Sequence, residues 1–288
     1  MILPGASVGV LGGGQLGRMF TLRARSMGYR VVVLDPDPGS PAGHVADRHL
    51  RAAYTDERGL DELAGGCAAV TTEFENVPAP ALERLARRCI VRPAAEAVAV
   101  AQDRIAEKTF LRGAGFPTAP FRPVYDHDGL AAAVRAVGSP SLLKTSRLGY
   151  DGKGQATVTG GPEAAEAFDR FGRVPCVLEE RLELEAELSV VLARSSGSEV
   201  AAFPVGQNEH QDGILQTTVV PARVPERLAT EARALALAVA ERMAYAGVLG
   251  VELFVANGGR LFVNEIAPRP HNSGHYTMDA CTVDQFEQ

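Results

Sequence analysis

Strand-like segments of this 288-residue chain carry carboxylates where apolar side chains would ordinarily be buried. Glu179 and Glu180 end the apolar run Cys176–Leu178, and Glu187 follows shortly after. Glu252 interrupts Val248–Val255, and Glu265 follows Asn264 within Leu261–Ile266. A carboxylate in a buried strand is costly unless it is paired or bound to a metal. Surface alternation accounts for some of these acids. For Glu252 and Asn264-Glu265, two neighbouring strands each delivering oxygen ligands fit Mg2+, which takes one or two carboxylates and leaves its remaining positions to phosphate and water.

Lys144 ends an apolar strand and opens a loop containing Gly149, Gly152, Lys153 and Gly154, after which a second strand starts at Gln155. Such a loop is either a flap that folds over polyphosphate or a tight hairpin with a solvated lysine. Its glycines offer N–H donors without a Cβ in the way, and its two ammonium groups act as point charges toward phosphate. It leads into a strand and not a helix, so it is not a Walker loop. Gly12-Gly13-Gly14-Gln15-Leu16-Gly17 satisfies the G-x-G-x-x-G spacing between a strand and a helix, with Asp35 closing the next strand. That segment fits a dinucleotide, another phosphorylated ligand or a purely structural turn, and the helix start at Leu16 favours phosphate in general. A last loop, Ala267–His275, places Arg269, His271, Asn272, Ser273 and His275 directly after Glu265 and suits a substrate phosphate or a nucleotide.

The elements that must hold these residues fall into lobes. Ser7–Leu11, the helical Leu16–Met27 and the β-branched Arg30–Leu34 form a βαβ unit. Glu57–Ala64, Cys67–Thr72, Ala79–Arg88 and Cys89–Val91 continue the alternation, as in a Rossmann-like parallel sheet. A helical stretch Ala94–Arg112 follows, and the Gly/Pro-rich Gly115–Phe121 reads as a boundary. Beyond it, strands are expected at Ser141–Thr145, Gln155–Thr159, Cys176–Arg181, Leu188–Ala193, Val200–Val205, Ile214–Pro221, Leu249–Ala256 and Arg260–Ile266. Helices are expected near Leu130–Val137, Glu163–Phe171 and Glu226–Ala244. Strands following strands directly imply antiparallel α+β lobes. The expected division is 1–100, 101–175 and 176–288.

A net charge of −6 leaves no basic footprint for nucleic acid or an anionic membrane. The N-terminus lacks a basic, apolar leader pattern and no uninterrupted apolar run reaches ~18 residues, so a cytoplasmic protein is expected. The four cysteines are widely spaced and read as reduced, buried thiols. Of 29 basic residues only Lys108, Lys144 and Lys153 are lysines. Where arginine is written almost by default, the remaining lysines mark places that want a compact ammonium.

Taken together, GGGQLGRM (12–19), TTEFENV (71–77), QDRIAEK (102–108), LGYDGKGQ (148–155), EHQDGILQT (209–217) and NEIAPRPHNSGH (264–275) resemble the ATP-grasp superfamily, and within it the N5-carboxyaminoimidazole ribonucleotide synthetase family. The resemblance implies a Rossmann-like lobe followed by an ATP-grasp domain of two α+β subdomains. It further implies ATP- and bicarbonate-dependent carboxylation of 5-aminoimidazole ribonucleotide in purine biosynthesis, with Mg2+ as one ion or two and a homodimeric assembly. ATP would meet Arg104, Lys144, the loop Gly149, Tyr150, Asp151, Gly152, Lys153, Gly154 and Gln155, the hinge Glu179, Glu180, Arg181 and Leu182, and Glu187, His210, Asn264 and Glu265. Glu252 and Glu265 would hold Mg2+. The aminoimidazole ribonucleotide would meet Gln15, Leu16, Glu73, Tyr150, Lys153, Arg269, His271, Asn272 and Ser273, with its phosphate at the Gln15-Leu16 helix start. Asp151, Tyr150, Lys144 and Arg269 would carry the chemistry. The family continues beyond a Gln-Phe-Glu motif such as Gln285-Phe286-Glu287 into a further C-terminal segment, which this sequence does not include. The competing readings are another ATP-grasp ligase, such as the formate-dependent glycinamide ribonucleotide transformylase, and an NAD(P)-binding oxidoreductase built on the glycine fingerprint.

Overall fold

The computed structural model describes residues 2–149 and 153–288. Its first lobe is a parallel sheet of β1 (Ser7–Leu11), β2 (Arg30–Leu34), β3 (Arg48–Leu50), β4 (Ala69–Thr72) and β5 (Ile90–Val91) in the order β3-β2-β1-β4-β5. The helices are α1 (Gln15–Ser26), α2 (Glu57–Gly66), α3 (Ala79–Ala86) and α4 (Ala95–Ala101). The order reverses between β1 and β4, and in open sheets of this kind ligands bind outside the carboxyl ends of the strands at that point. Two of the suspected segments leave the sheet there: the glycine loop after β1 and the Glu73–Asn76 stretch after β4.

The stretch 94–112 is two helices. α4 ends at Ala101 and α5 (Arg104–Gly113) starts afresh, because Asp103 acts as its N-cap and accepts from Ile105 N at 3.0 Å and Ala106 N at 3.2 Å. The same carboxylate accepts from Ser146 Oγ and pairs with Arg147 Nε at 3.0 Å, which fixes the start of α5 against the loop that carries Gly149.

Two antiparallel sheets follow. The second lobe orders β6 (Phe121–Val124), β9 (Cys176–Glu180), β7 (Ser141–Thr145) and β8 (Gln155–Val158) under α6 (His127–Val137) and α7 (Gly161–Arg170). The expected boundary at 175 therefore falls one strand early: β9 lies between β6 and β7, with Leu178 and Cys176 in the core of this lobe. The third sheet runs β13 (Ile214–Val219), β12 (Gly206–Gln211), β10 (Leu184–Arg194), β14 (Gly247–Ala256) and β15 (Arg260–Ala267). β11 (Val200–Ala202) pairs on β10, and α8 (Glu226–Arg242) packs across the face. A 3-10 turn at Asn272–Gly274 and α9 (Thr277–Ala280) close the chain. β3, β6 and β12 are additional to the expected strands. The four cysteines are free, with Cys67 and Cys176 buried but Cys89 and Cys281 only half-buried.

Candidate active site

α5 presents Arg104, Glu107 and Lys108 on one face, as the spacings of three and four residues require. With Lys108 buried behind them, Arg104 and Glu107 line a cleft of about 500 Å³. Its walls come from all three sheets: Glu75 and Asn76 after β4, Lys144 on β7, Glu187 on β10, His210 on β12, Glu252 on β14, and Asn264 and Glu265 on β15. Arg269, His271 and Asn272 complete it from the loop that follows. A second cavity of similar size shares Leu142, Lys144 and Phe254 with the first. It is otherwise lined by Ala119, Pro140 and the segment from Glu179 to Leu184.

Charges in the cleft are matched in pairs. Arg104 reaches Glu265 Oε2 at 3.0 Å and donates to the Gly149 carbonyl at 3.2 Å. Burial raises the Glu265 carboxyl, but the charge and hydrogen bond of Arg104 outweigh it and hold the group down at about 2. Burial likewise opposes ionisation of Glu179. Lys108 at 3.1 Å and Lys144 at 3.2 Å from its Oε2 overcome this and pull it to about 2. Its other oxygen, Oε1, is buried without a protein partner. Glu107 is the exception: burial, reinforced by the Glu265 charge, pushes it up to about 8, while its Oε1 accepts from Ile266 N at 2.6 Å. His210 Nδ1 lies 2.8 Å from Glu187 Oε2, and that carboxylate raises the imidazole above its ordinary value. Arg269 pairs with Glu75 at 2.6 Å across a sequence separation of 194 residues.

Glu252 and Glu265 face each other across β14 and β15, in register beside a bulge. His271 Nε2 lies 3.1 Å from Glu252 Oε1, and Nδ1 meets both Ser273 Oγ at 2.8 Å and Ser273 N at 3.3 Å. Because Nδ1 accepts from the backbone N–H, the proton sits on Nε2 and points at Glu252. Two opposed carboxylates, one oriented by an imidazole, fit a Mg2+ ion that shares its remaining positions with phosphate oxygens.

The glycine loop differs from expectation. Gly14 N and Gly17 N donate to the two carboxylate oxygens of Glu73, the second at 2.6 Å, and Gly13 N donates to Asp35 at 2.7 Å. The anion at this helix start is therefore the chain's own carboxylate, and a Cβ on Gly12, at φ +99, would collide with Glu73 and Phe74. These N–H groups are not open to a dinucleotide pyrophosphate. The expected substrate phosphate at Gln15 and Leu16 would meet a resident carboxylate, and Gln15, Leu16 and Glu73 do not line the main cleft. Ser273 is 2% exposed and fixes His271, so it is not open to substrate in this arrangement. The cleft brings together Arg104, Lys144, Gly149, Gln155, Glu187, His210, Glu252, Asn264, Glu265, Arg269, His271 and Asn272. The second cavity collects Glu179, Glu180, Arg181 and Leu182. Lys153 is exposed, Gly154 turns at φ +71, and Tyr150, Asp151 and Gly152 lie outside the described residues.

Sequence reasoning missed Glu75, Asn76 and Glu107. Glu75 sits in the same TTEFENV segment as Glu73, and Glu107 one helical turn from Arg104, so spacing was the available signal.

A family model described as the ATP-grasp domain matches residues 109–286, and one described as the ribonucleotide synthetase preATP-grasp domain matches residues 6–102. The N5-carboxyaminoimidazole ribonucleotide synthase of Brucella melitensis biotype 1 is 46% identical over 287 residues, 99% of this chain and 79% of the relative. A solved ADP complex of N5-carboxyaminoimidazole ribonucleotide synthetase superposes with a TM-score of 0.96 at 41% identity, covering 100% of this chain and 76% of that one. The Aspergillus clavatus N5-carboxyaminoimidazole synthase in complex with ADP and 5-aminoimidazole ribonucleotide gives a TM-score of 0.91 at 32% identity, covering 98% of this chain and 74% of that one.

Proposed function

The chain belongs to the N5-carboxyaminoimidazole ribonucleotide synthase family of ATP-grasp enzymes, and from that premise we propose how its two cavities divide the work. The enzyme is an ATP-dependent carbon–nitrogen ligase of purine biosynthesis. It joins bicarbonate to 5-aminoimidazole ribonucleotide, giving N5-carboxyaminoimidazole ribonucleotide, ADP and phosphate. The observation that carries the residue assignments is Lys144, which stands on the shared wall of the two cavities.

In this reading the second cavity takes adenine. The buried, unpartnered Glu179 Oε1 asks for a donor, which an exocyclic amine supplies, and the backbone of Glu180–Leu182 offers the edge-on partners. Glu187, held by His210, accepts the ribose hydroxyls. The triphosphate then passes Lys144 into the main cleft, where Arg104 and the glycine loop meet it. Glu252 and Glu265 would hold Mg2+, which supplies charge neutralisation on the phosphoryl group.

A bicarbonate oxygen attacks the γ-phosphorus and ADP leaves, giving carboxyphosphate. The amine of the ribonucleotide then bonds to the carboxyl carbon as phosphate leaves and the nitrogen gives up a proton. Arg104 and Lys144 place positive charge where the transferring group becomes more negative. Arg269, His271 and Asn272, in the same cleft, serve the ribonucleotide or bicarbonate, while Glu75 keeps the Arg269 guanidinium fixed. Asp151, with Tyr150, orients the amine and takes its proton. The enzyme acts in the cytoplasm as a homodimer; no helix among the described residues is long and apolar enough to cross a membrane. Sedimentation at micromolar concentration checks the dimer.

The deciding assay is ADP release. Turnover requires bicarbonate together with 5-aminoimidazole ribonucleotide; turnover that instead requires formate and glycinamide ribonucleotide would overturn the assignment.

A further inference from the structure

Lys108 lines neither cavity, yet it is the most deeply buried of the three lysines, at 1% exposure. Its ammonium lies 3.1 Å from Glu179 Oε2 and donates to the Asn264 carbonyl at 3.0 Å. Lys144 lies 3.2 Å from that same Glu179 oxygen. One buried carboxylate oxygen thus carries two ammonium groups. Such sharing needs a reason, because burying a second cation costs desolvation that a 1:1 pair would not require.

We propose that Lys108 is a positioning residue for the nucleotide: it keeps the Glu179 carboxylate paired, so that Lys144 is free to turn to the phosphates. A buried carboxylate with a single cation holds it tightly, since moving that cation away strands the charge. With two cations on it, one can leave. The geometry decides which. Lys108 is tied from its other side to Asn264, whereas Lys144 stands on the shared wall of the two cavities. Burial disfavours the charged form of Lys144, and repulsion from Lys108 and Arg104 adds to this, until an anion arrives. A phosphate then supplies the counter-charge that Glu179 gives up, and the hinge strand β9 keeps its carboxylate neutralised by α5. The inference rests on the reading of the cavities as an ATP site.

The test is a double-mutant cycle on the full chain. It is read by equilibrium binding of a β,γ-imido analogue of ATP with Mg2+, together with the ATP KM and kcat and a melting curve for each variant. Lys108→Met in the wild-type background weakens analogue binding by roughly tenfold or more. In the Glu179→Gln background the same change costs less than about threefold, because no carboxylate remains to trap Lys144. Lys108→Arg, which keeps the charge, stays near wild type. The loss appears in the ATP KM more than in kcat. A merely structural lysine gives equal losses in both backgrounds, and that result, or no loss in the first background, overturns the proposal. Should Lys108→Met fail to fold, Lys108→Gln keeps a donor for Asn264 without the charge and is read in the same way. If the wild type itself does not bind the analogue, the ATP reading of the cavities fails, and Lys108 loses its role with it.

Discussion

Glu107→Gln separates the cost of the site from its chemistry. The carboxyl is buried, accepts from Ile266 N at 2.6 Å, and is raised to about 8 by burial and by the nearby Glu265 charge. Glutamine has nearly the same shape and keeps an oxygen for Ile266, so the substitution removes the titration and little else. From about pH 4.5 to about 8 the unfolded chain has released this proton while the folded chain retains it. The folded state therefore loses stability as pH rises through that window. An elevation of this size is worth on the order of 5 kcal/mol by pH 8, or very roughly 10 °C in melting temperature for a chain of this length. Below about pH 4.5 the two proteins should be equally stable, and toward pH 8 the variant should be the more stable by a widening margin. Urea or thermal unfolding at four or five pH values measures the difference. Parallel stability–pH curves would show that Glu107 is already ionised in the folded protein and would refute the reasoning.

Lys144→Ala should lower kcat/KM for ATP on the order of tenfold to a hundredfold by removing a charge-assisted phosphate contact. Asp151→Asn should instead spare analogue binding and reduce carboxylation of the ribonucleotide; equal, mild effects of both would contradict their separate roles. Gln285 is fully buried, and its amide accepts from His271 N at 2.8 Å and donates to His271 O at 2.9 Å. Gln285→Leu leaves both backbone groups unpaired, so it should cost about 2–5 kcal/mol in a urea titration. It should also raise the Mg2+ concentration needed for half-maximal analogue binding, since His271 orients Glu252; an unchanged Mg2+ dependence would break that link.

Local patterns carried the architecture. β1, α1 and β2 were readable because period and punctuation change together at Gly12–Gly14 and Gly28, and the strand acids Glu252 and Glu265 were conspicuous in apolar runs. What depended on long-range partners was not readable. Cys176–Glu180 has the same apolar pattern whether it joins the second or the third sheet, and only pairing with β6 and β7 decides. Asp103 caps α5 through Ile105 N and Ala106 N, but that it also anchors the glycine-bearing loop shows only in its contacts with Ser146 and Arg147, more than 40 positions away. The glycine fingerprint is met by Glu73, which no local rule connects to Gly14 and Gly17. Composition marked all three lysines alike, and nothing in it showed that Lys108 and Lys144 share Glu179.

The polar side chains on α5, two of them charged and Glu107 protonated up to about pH 8, also explain why this face is not apolar. Arg104, Glu107 and Lys108 occupy one side, and Leu111, one turn further on, enters the core of the third lobe. A hydrophobic continuation of that stripe would avoid three desolvation penalties, and replacement of buried charge by well-packed apolar groups is often neutral or stabilising. Each of the three instead lies within 3.2 Å of a partner on the second or third sheet: Glu265 and Gly149 for Arg104, Ile266 for Glu107, Glu179 and Asn264 for Lys108. One and a half turns of helix therefore set the charge state of Glu179 on β9 and Glu265 on β15 at once. Stability is given up at the place where three lobes must agree on a single electrostatic arrangement before the nucleotide arrives. Stabilising substitutions should accordingly be found on this face more readily than elsewhere in the core, and they should lower ATP use when they are.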